Sequence, residues 1–281
     1  MEKITALKLS EFKRQGRKIT ALTAYDAPFA RLMERAGVDV ILVGDSVGMA
    51  VHGRPDTLSV TMEEMVIHAR AVAGAVKTPL VVVDMPFMSF QVSKEKAVEN
   101  AGRLIKETGA QAVKLEGGDK YSATIRAIVD AGIPVMGHVG LTPQSVHQLG
   151  GYKVQGKQSE SARKVLSDAH AVEKAGAFSV VIEAVPADLG AAVTQSLKIP
   201  TIGIGAGPDC DGQILVLHDL LGLSDGPHPR FVKMYANFAE QAVEAFKSYR
   251  DEVQSGAFPA QENTYGARGE GALRVVGKKK E

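Results

Sequence analysis

The chain has 281 residues, 45% of them hydrophobic and 23% charged, which is ordinary for a globular protein of one large or two small domains. A formal net charge of +1 gives no electrostatic reason for a nucleic-acid partner, and the single cysteine, Cys210, excludes an internal disulfide framework and a cysteine-rich zinc site. The opening residues lack an apolar core of signal-peptide length and no apolar run reaches the ~20 residues that span a bilayer, so the expectation is a cytoplasmic protein without a membrane partner.

Residues 5–14 predict a short helix ahead of the first apolar run, placed to cover one end of the fold. Eight runs follow: ITALTAY (19–25), VDVILVG (38–44), PLVVVDM (79–85), AQAVKLE (110–116), IPVMGHV (133–139), FSVVIEAV (178–185), PTIGIGA (200–206) and QILVLHD (213–219). They are rich in Val and Ile and do not alternate strictly, which fits parallel strands covered on both faces. Helical patterns lie between most of them, several ending on a glycine suited to a C-cap: Gly37, Gly109, Gly132 and Gly176. Thr61 followed three residues later by Glu64 reads as a capping box. GPDCDG, between the last two runs, leaves little room for a helix. RFVKMYANFAEQAVEAFKSYRDEVQ (230–254) predicts a long closing helix, and the Gly-rich segment from Gly256, ending in KKK, predicts a largely disordered tail.

This alternation predicts an α/β fold, a (β/α)₈ TIM barrel over residues 1–255 with a tail over 256–281. An open doubly wound sheet is the alternative, but no strand-linked G-x-G-x-x-G supports dinucleotide binding.

In such a barrel the reacting groups stand at the C-terminal strand ends. Those ends carry Tyr25-Asp26, Asp45-Ser46, Asp84, Lys114 with Glu116, His138, Glu183 and His218-Asp219. Ionisable groups are seldom buried without partners, so a ring of them on an apolar barrel points to a site. Asp45, Asp84 and Glu116 come from three consecutive strands, about 4.8 Å apart, and their carboxylates would repel one another without a cation. Oxygen-only ligands favour a hard ion such as Mg²⁺ over zinc. The plainer alternative is that each acid caps a helix or pairs with a surface base.

Lys114 and Glu116 are two residues apart on one strand and therefore share a face. A lysine there suits a substrate carboxylate, with a simple Lys114–Glu116 ion pair as the alternative. Glu183 follows three β-branched residues across the barrel from Asp45, the placement a general base needs, although a hydrogen-bonded buried Glu is also open. His138 has three open roles: substrate binding, orienting a neighbour, or satisfying backbone groups. GIGAG (203–207) reads as the small-residue end of a crowded strand more readily than as a phosphate cradle.

VGDSVGMAVHGRPDT, VVVDMPF, AVKLEGG, GHVGLTPQS, VIEAVP and IGIGAGPDCDGQILVLHD, in this order, resemble the ketopantoate hydroxymethyltransferase family over about residues 3–260. The resemblance implies a barrel of the phosphoenolpyruvate/pyruvate type, a Mg²⁺ ion and a homo-oligomer, a decamer. It also implies two small-molecule substrates: 5,10-methylenetetrahydrofolate as cosubstrate and 3-methyl-2-oxobutanoate as acceptor, joined through a Mg-stabilised enolate to give 2-dehydropantoate. Carried over, the metal-linked acids fall on Asp45, Asp84 and Glu116, the oxoacid contacts on Asp45, Ser46, Asp84 and Lys114, and the proton acceptor on Glu183. A Mg-dependent 2-oxoacid lyase or aldolase of the same superfamily, and a non-catalytic barrel that binds a 2-oxoacid, are the alternatives. The tail YGARGEGALRVVGKKKE runs past the end of the family pattern.

Overall fold

The computed structural model describes residues 2–224, 226 and 228–265. Helix α1 (Ala6–Arg14) starts at Thr5, whose side chain accepts the Lys8 N–H. Then come β1 (Ile19–Thr23), α2 (Ala27–Ala36), β2 (Val40–Val43), a one-turn helix α3 (Val47–Ala50), α4 (Met62–Ala73) and β3 (Leu80–Asp84). The order continues with α5 (Lys94–Thr108), β4 (Ala112–Glu116), α6 (Ser122–Asp130), β5 (Val135–Gly140), the short α7 (Val146–Leu149), α8 (Ser159–Lys174) and β6 (Ser179–Glu183). It closes with α9 (Ala187–Ser196), β7 (Thr201–Ile204), β8 (Gly212–Leu215), α10 (Leu217–Leu221) and α11 (Phe238–Ser255). The Thr61–Glu64 capping box forms at the start of α4, and Gly37 and Gly109 are left-handed C-caps. Gly132 and Gly176 instead sit one residue beyond their caps, Ala131 and Ala175.

The strands form one closed parallel barrel in the order β1 to β8, with β1 pairing β8 through Ile19↔Gly212 to Leu22↔Leu215. Residue alternation along each strand splits the core in two. One set, including Ile41, Val43, Val81, Val83, Val113, Leu115, Val180 and Ile182, packs outward with helix residues such as Met65, Leu104, Ile128 and Val172. The other set, Ile19, Val40, Leu42, Leu80, Val82, Ala112, Met136, Val181, Ile202 and Ile214, fills the barrel interior, where Leu9 and Phe12 of α1 join it. Thus α1 does cover the bottom of the barrel.

Three boundaries differ from the sequence reading. The β7–β8 connection carries no helix, as GPDCDG implied, but β8 ends at Leu215, so His218 and Asp219 belong to α10 rather than to a strand end. Helix α11 begins at Phe238, not near residue 230. Residues 236–265 form a unit of their own; within it, α11 buries no residue and Tyr249 packs edge-on against Phe258, ring centroids 5.7 Å apart. Residues 256–265 include a 3₁₀ turn, Gln261–Asn263, and the rest of the predicted tail lies outside the described residues. No helix among the described residues is long and apolar enough to cross a membrane.

Candidate active site

The inward alternation that fills the barrel with apolar residues continues at its upper end with ionisable ones. Above Leu80 and Val82 comes Asp84; above Ala112 come Lys114 and Glu116; above Met136 comes His138; above Val181 comes Glu183. Pairing registers Asp84 with Lys114 and Glu116 with His138, so the polar layer is continuous across β3, β4 and β5. Asp45 enters from the turn after β2, where Gly44 is required. A Cβ at Gly44 would lie 2.9 Å from Ser46 Oγ and 3.3 Å from Asp84 Oδ2, where the Asp45 N–H now donates to Asp84 Oδ2 at 3.0 Å.

Lys114 Nζ lies 2.6 Å from Asp84 Oδ1, both side chains about 5% exposed or less. Burial alone pulls the Lys114 ammonium down, but Asp84, Glu116 and Asp45 outweigh it and hold its pKa above the ordinary lysine range. Burial, then the charge of Asp84, pushes Asp45 up to about 7. Burial and Asp45 likewise raise Glu116 well above the usual carboxylate range, against Lys114 and the Gln144 N–H. The cluster sets three carboxyl groups beside one ammonium, that of Lys114.

His138 joins its two halves. Lys114 Nζ is 3.3 Å from His138 Nδ1, and an ammonium only donates, so Nδ1 accepts and the ring proton sits on Nε2. That Nε2 lies 3.0 Å from Glu183 Oε2, off the ring N–H axis. Burial and the Lys114 charge lower the His138 pKa, which keeps the imidazole neutral. Glu183 is the most accessible of the carboxylates, its side chain 15% exposed, and so faces the mouth.

Of two further residues here, Gln144 was not named from sequence and Tyr25 was named only as a strand end. Gln144, buried in the turn after β5, donates from its backbone N–H to Glu116 Oε2 (2.9 Å) and from Nε2 to Asp45 Oδ2 (2.8 Å) and the Met85 carbonyl (2.9 Å). Tyr25, at the end of β1, places its hydroxyl 2.8 Å from Ser46 Oγ, and Ser46 is only half-buried. Other strand-end residues take structural parts. Asp26 caps α2 through the Phe29 N–H, Asp219 bonds Ser224, Arg54 pairs with Glu64, and Cys210 is a buried small residue of the β7–β8 turn.

The family model described as ketopantoate hydroxymethyltransferase matches residues 3–261. The chain belongs to that family. It is 57% identical over 263 residues to the 3-methyl-2-oxobutanoate hydroxymethyltransferase of Moorella thermoacetica, covering 94% of this chain and 98% of that one. To the protein of the same name from Thermoanaerobacter sp. (strain X514) it is 54% identical over 264 residues, covering 94% and 96%. Family membership makes it an enzyme, a transferase of pantothenate biosynthesis. Among solved structures, a phosphonopyruvate hydrolase in complex with oxalate and Mg²⁺ matches with TM-score 0.60 at 18% identity, covering 92% of this chain and 93% of the other. A 2,3-dimethylmalate lyase of the PEP mutase/isocitrate lyase superfamily matches with TM-score 0.58 at 19% identity, covering 92% and 91%. These two share the barrel fold.

Proposed function

We propose that the enzyme transfers a hydroxymethyl group from 5,10-methylenetetrahydrofolate to 3-methyl-2-oxobutanoate, giving 2-dehydropantoate. The observation that carries this reading is the buried excess of carboxylates at the barrel mouth. Asp45, Asp84 and Glu116 face a single ammonium, and a fourth carboxylate, Glu183, stands 3.0 Å from His138 Nε2 on the neighbouring strand. The names of the relatives support the same reaction.

A divalent cation fits this cluster. The donors are all oxygen, as a hard ion requires, and three carboxyl groups share one ammonium, that of Lys114. Among the described residues no three His, Cys, Asp or Glu side chains are grouped closely enough to hold an ion by themselves. Magnesium rarely asks for that, since one or two carboxylates plus water and substrate oxygens complete its shell. Asp45, Asp84 and Glu116 would hold it, and its Lewis acidity would make the C3 proton of the oxoacid removable by stabilising the enolate.

The protein's own groups supply the rest. Lys114 and Ser46 bind the oxoacid carboxylate, Ser46 being aimed by Tyr25. Glu183 takes the C3 proton. Water adds to the methylene carbon of the cosubstrate's iminium form and its C–N bond breaks, releasing tetrahydrofolate and formaldehyde. The C3 carbon bonds to the formaldehyde carbon, and the proton held by Glu183 goes to the formaldehyde oxygen, which becomes the new hydroxyl. The test is product formation by the Mg²⁺-loaded protein with and without methylenetetrahydrofolate. Folate-dependent 2-dehydropantoate is the expected result. Cleavage of a 2-oxoacid without folate would place the chain among the lyases, and binding without turnover would make it a binding protein. The reading includes a homo-oligomer, a decamer, which light scattering of the full chain checks.

The cation has a measurable linkage. The folded-state pKa of Asp45 is raised from an ordinary 3.8 to about 7. Its contribution to stability is therefore full below the unfolded value and is lost as pH rises through about 7. Mg²⁺ binds the ionised form and offsets that loss. The Mg²⁺-induced rise in Tm should be several-fold larger at ~pH 8 than at ~pH 5.5, and Asp45→Asn should remove the difference. Equal shifts at both pH values would take Asp45 out of the cation site.

A further inference from the structure

Between β5 and α8 the segment GGYKVQG (150–156) has left-handed glycines at both ends, Gly150 (φ 67°), Gly151 (φ 109°) and Gly156 (φ 75°). Gln155 donates its N–H to the carbonyl of Ala184 at 2.8 Å, next to Glu183. Three residues earlier, the Tyr152 hydroxyl meets Met49 Sδ at 3.7 Å, in the helix that follows Asp45 and Ser46. Strands β6 and β2 stand on opposite sides of the barrel, so the segment crosses its mouth. Tyr152 is 51% and Met49 41% exposed, an aromatic ring and a thioether left open beside the site. Burial raises the Tyr152 phenol, and the charges of Asp56, Asp45, Glu183 and Glu116 raise it further. Asp56 packs against the residue before Met49, a Cβ at Gly48 lying 3.2 Å from the Asp56 carbonyl oxygen; it spends Oδ1 on the Leu58 N–H (3.0 Å), and among the described residues no cation pairs with it.

The small, charged oxoacid needs none of this apolar surface. A pteridine does: it is flat, it stacks on aromatic rings and sulfur, and its amino edge presents adjacent N–H donors that a carboxylate accepts. We propose that Tyr152 and Met49 form the face on which the pteridine ring of the folate cosubstrate lies, with Asp56 accepting its amino edge; this rests on the hydroxymethyl-transfer reading.

The test separates the folate step from the folate-independent exchange of the oxoacid C3 proton in D₂O. Tyr152→Ala should raise the KM for methylenetetrahydrofolate by about tenfold, with the exchange rate and oxoacid KM within about twofold of wild type. Tyr152→Phe should restore the folate KM, and Asp56→Asn should raise it. Met49→Ala probes the same face should Tyr152→Ala fold poorly. An unchanged folate KM in Tyr152→Ala and Met49→Ala would overturn the proposal. So would a loss of exchange in step with folate turnover, because the segment would then serve the barrel mouth as a whole. A wild-type protein that exchanges the C3 proton but makes no product from methylenetetrahydrofolate would sink the transfer reading itself, and this site with it.

Discussion

Glu183→Gln is expected to slow C3-proton exchange of 3-methyl-2-oxobutanoate in D₂O by roughly 10²–10⁴-fold, the usual contribution of a positioned general base. The substitution keeps the shape of the side chain and its place on β6 but removes the atom that can take a proton. The neighbouring imidazole cannot substitute easily. Lys114 occupies its Nδ1, its Nε2 already carries the proton, and burial together with the Lys114 charge lowers its pKa. His138 is a positioning residue in this scheme, its Nε2 3.0 Å from Glu183 Oε2. Oxoacid affinity should change only a few-fold, because the proposal gives the carboxylate end to Lys114 and Ser46, not to Glu183. Exchange at the wild-type rate would assign the base to another group, whatever the overall turnover does.

The barrel and most of the site were legible because both follow from one period. Runs such as PLVVVDM and AQAVKLE place apolar residues on both faces of a strand until the upper end, where alternation alone aims Asp84, Lys114 and Glu116 inward. Gln144 was not legible. Its link to Asp45 spans 99 positions of sequence, and nothing in LTPQS distinguishes a glutamine that threads between carboxylates from one in solvent. The end of β8 was hidden for a different reason. ILVLHDLL (214–221) is continuously apolar except at His218-Asp219, and the switch to helix comes from a tertiary bond, the Leu217 N–H donating to Thr23 Oγ1 at 3.0 Å. RFVKMYAN likewise reads as helix by periodicity, yet α11 starts only after Asn237. Local pattern sets a helix's face better than its first residue.

Lys114→Met is expected to damage both stability and function, and the two losses should respond differently to Mg²⁺. Asp84 is 3% exposed and its Oδ1 meets only Lys114 among the described residues. Removing one partner of a buried ion pair strands the other charge, at a cost of about 3–5 kcal/mol. Here the stranded charge also faces Asp45, whose carboxyl is already raised by Asp84. In urea melts without divalent cation the variant should lose about that much. Mg²⁺ should return part of it, since a cation near Asp45 and Asp84 replaces some of the missing charge. Function should not return in the same way. In the proposed reading Lys114 supplies a charge-assisted hydrogen bond to the substrate carboxylate, worth about 1.5–3 kcal/mol, so the oxoacid KM should stay roughly 10–100-fold high even at saturating Mg²⁺. A Mg²⁺-loaded variant with wild-type oxoacid KM would confine Lys114 to charge balance within the barrel. If instead the variant melted like wild type without Mg²⁺, Asp84 would have to find its compensation elsewhere, and the charge deficit that supports a cation here would disappear.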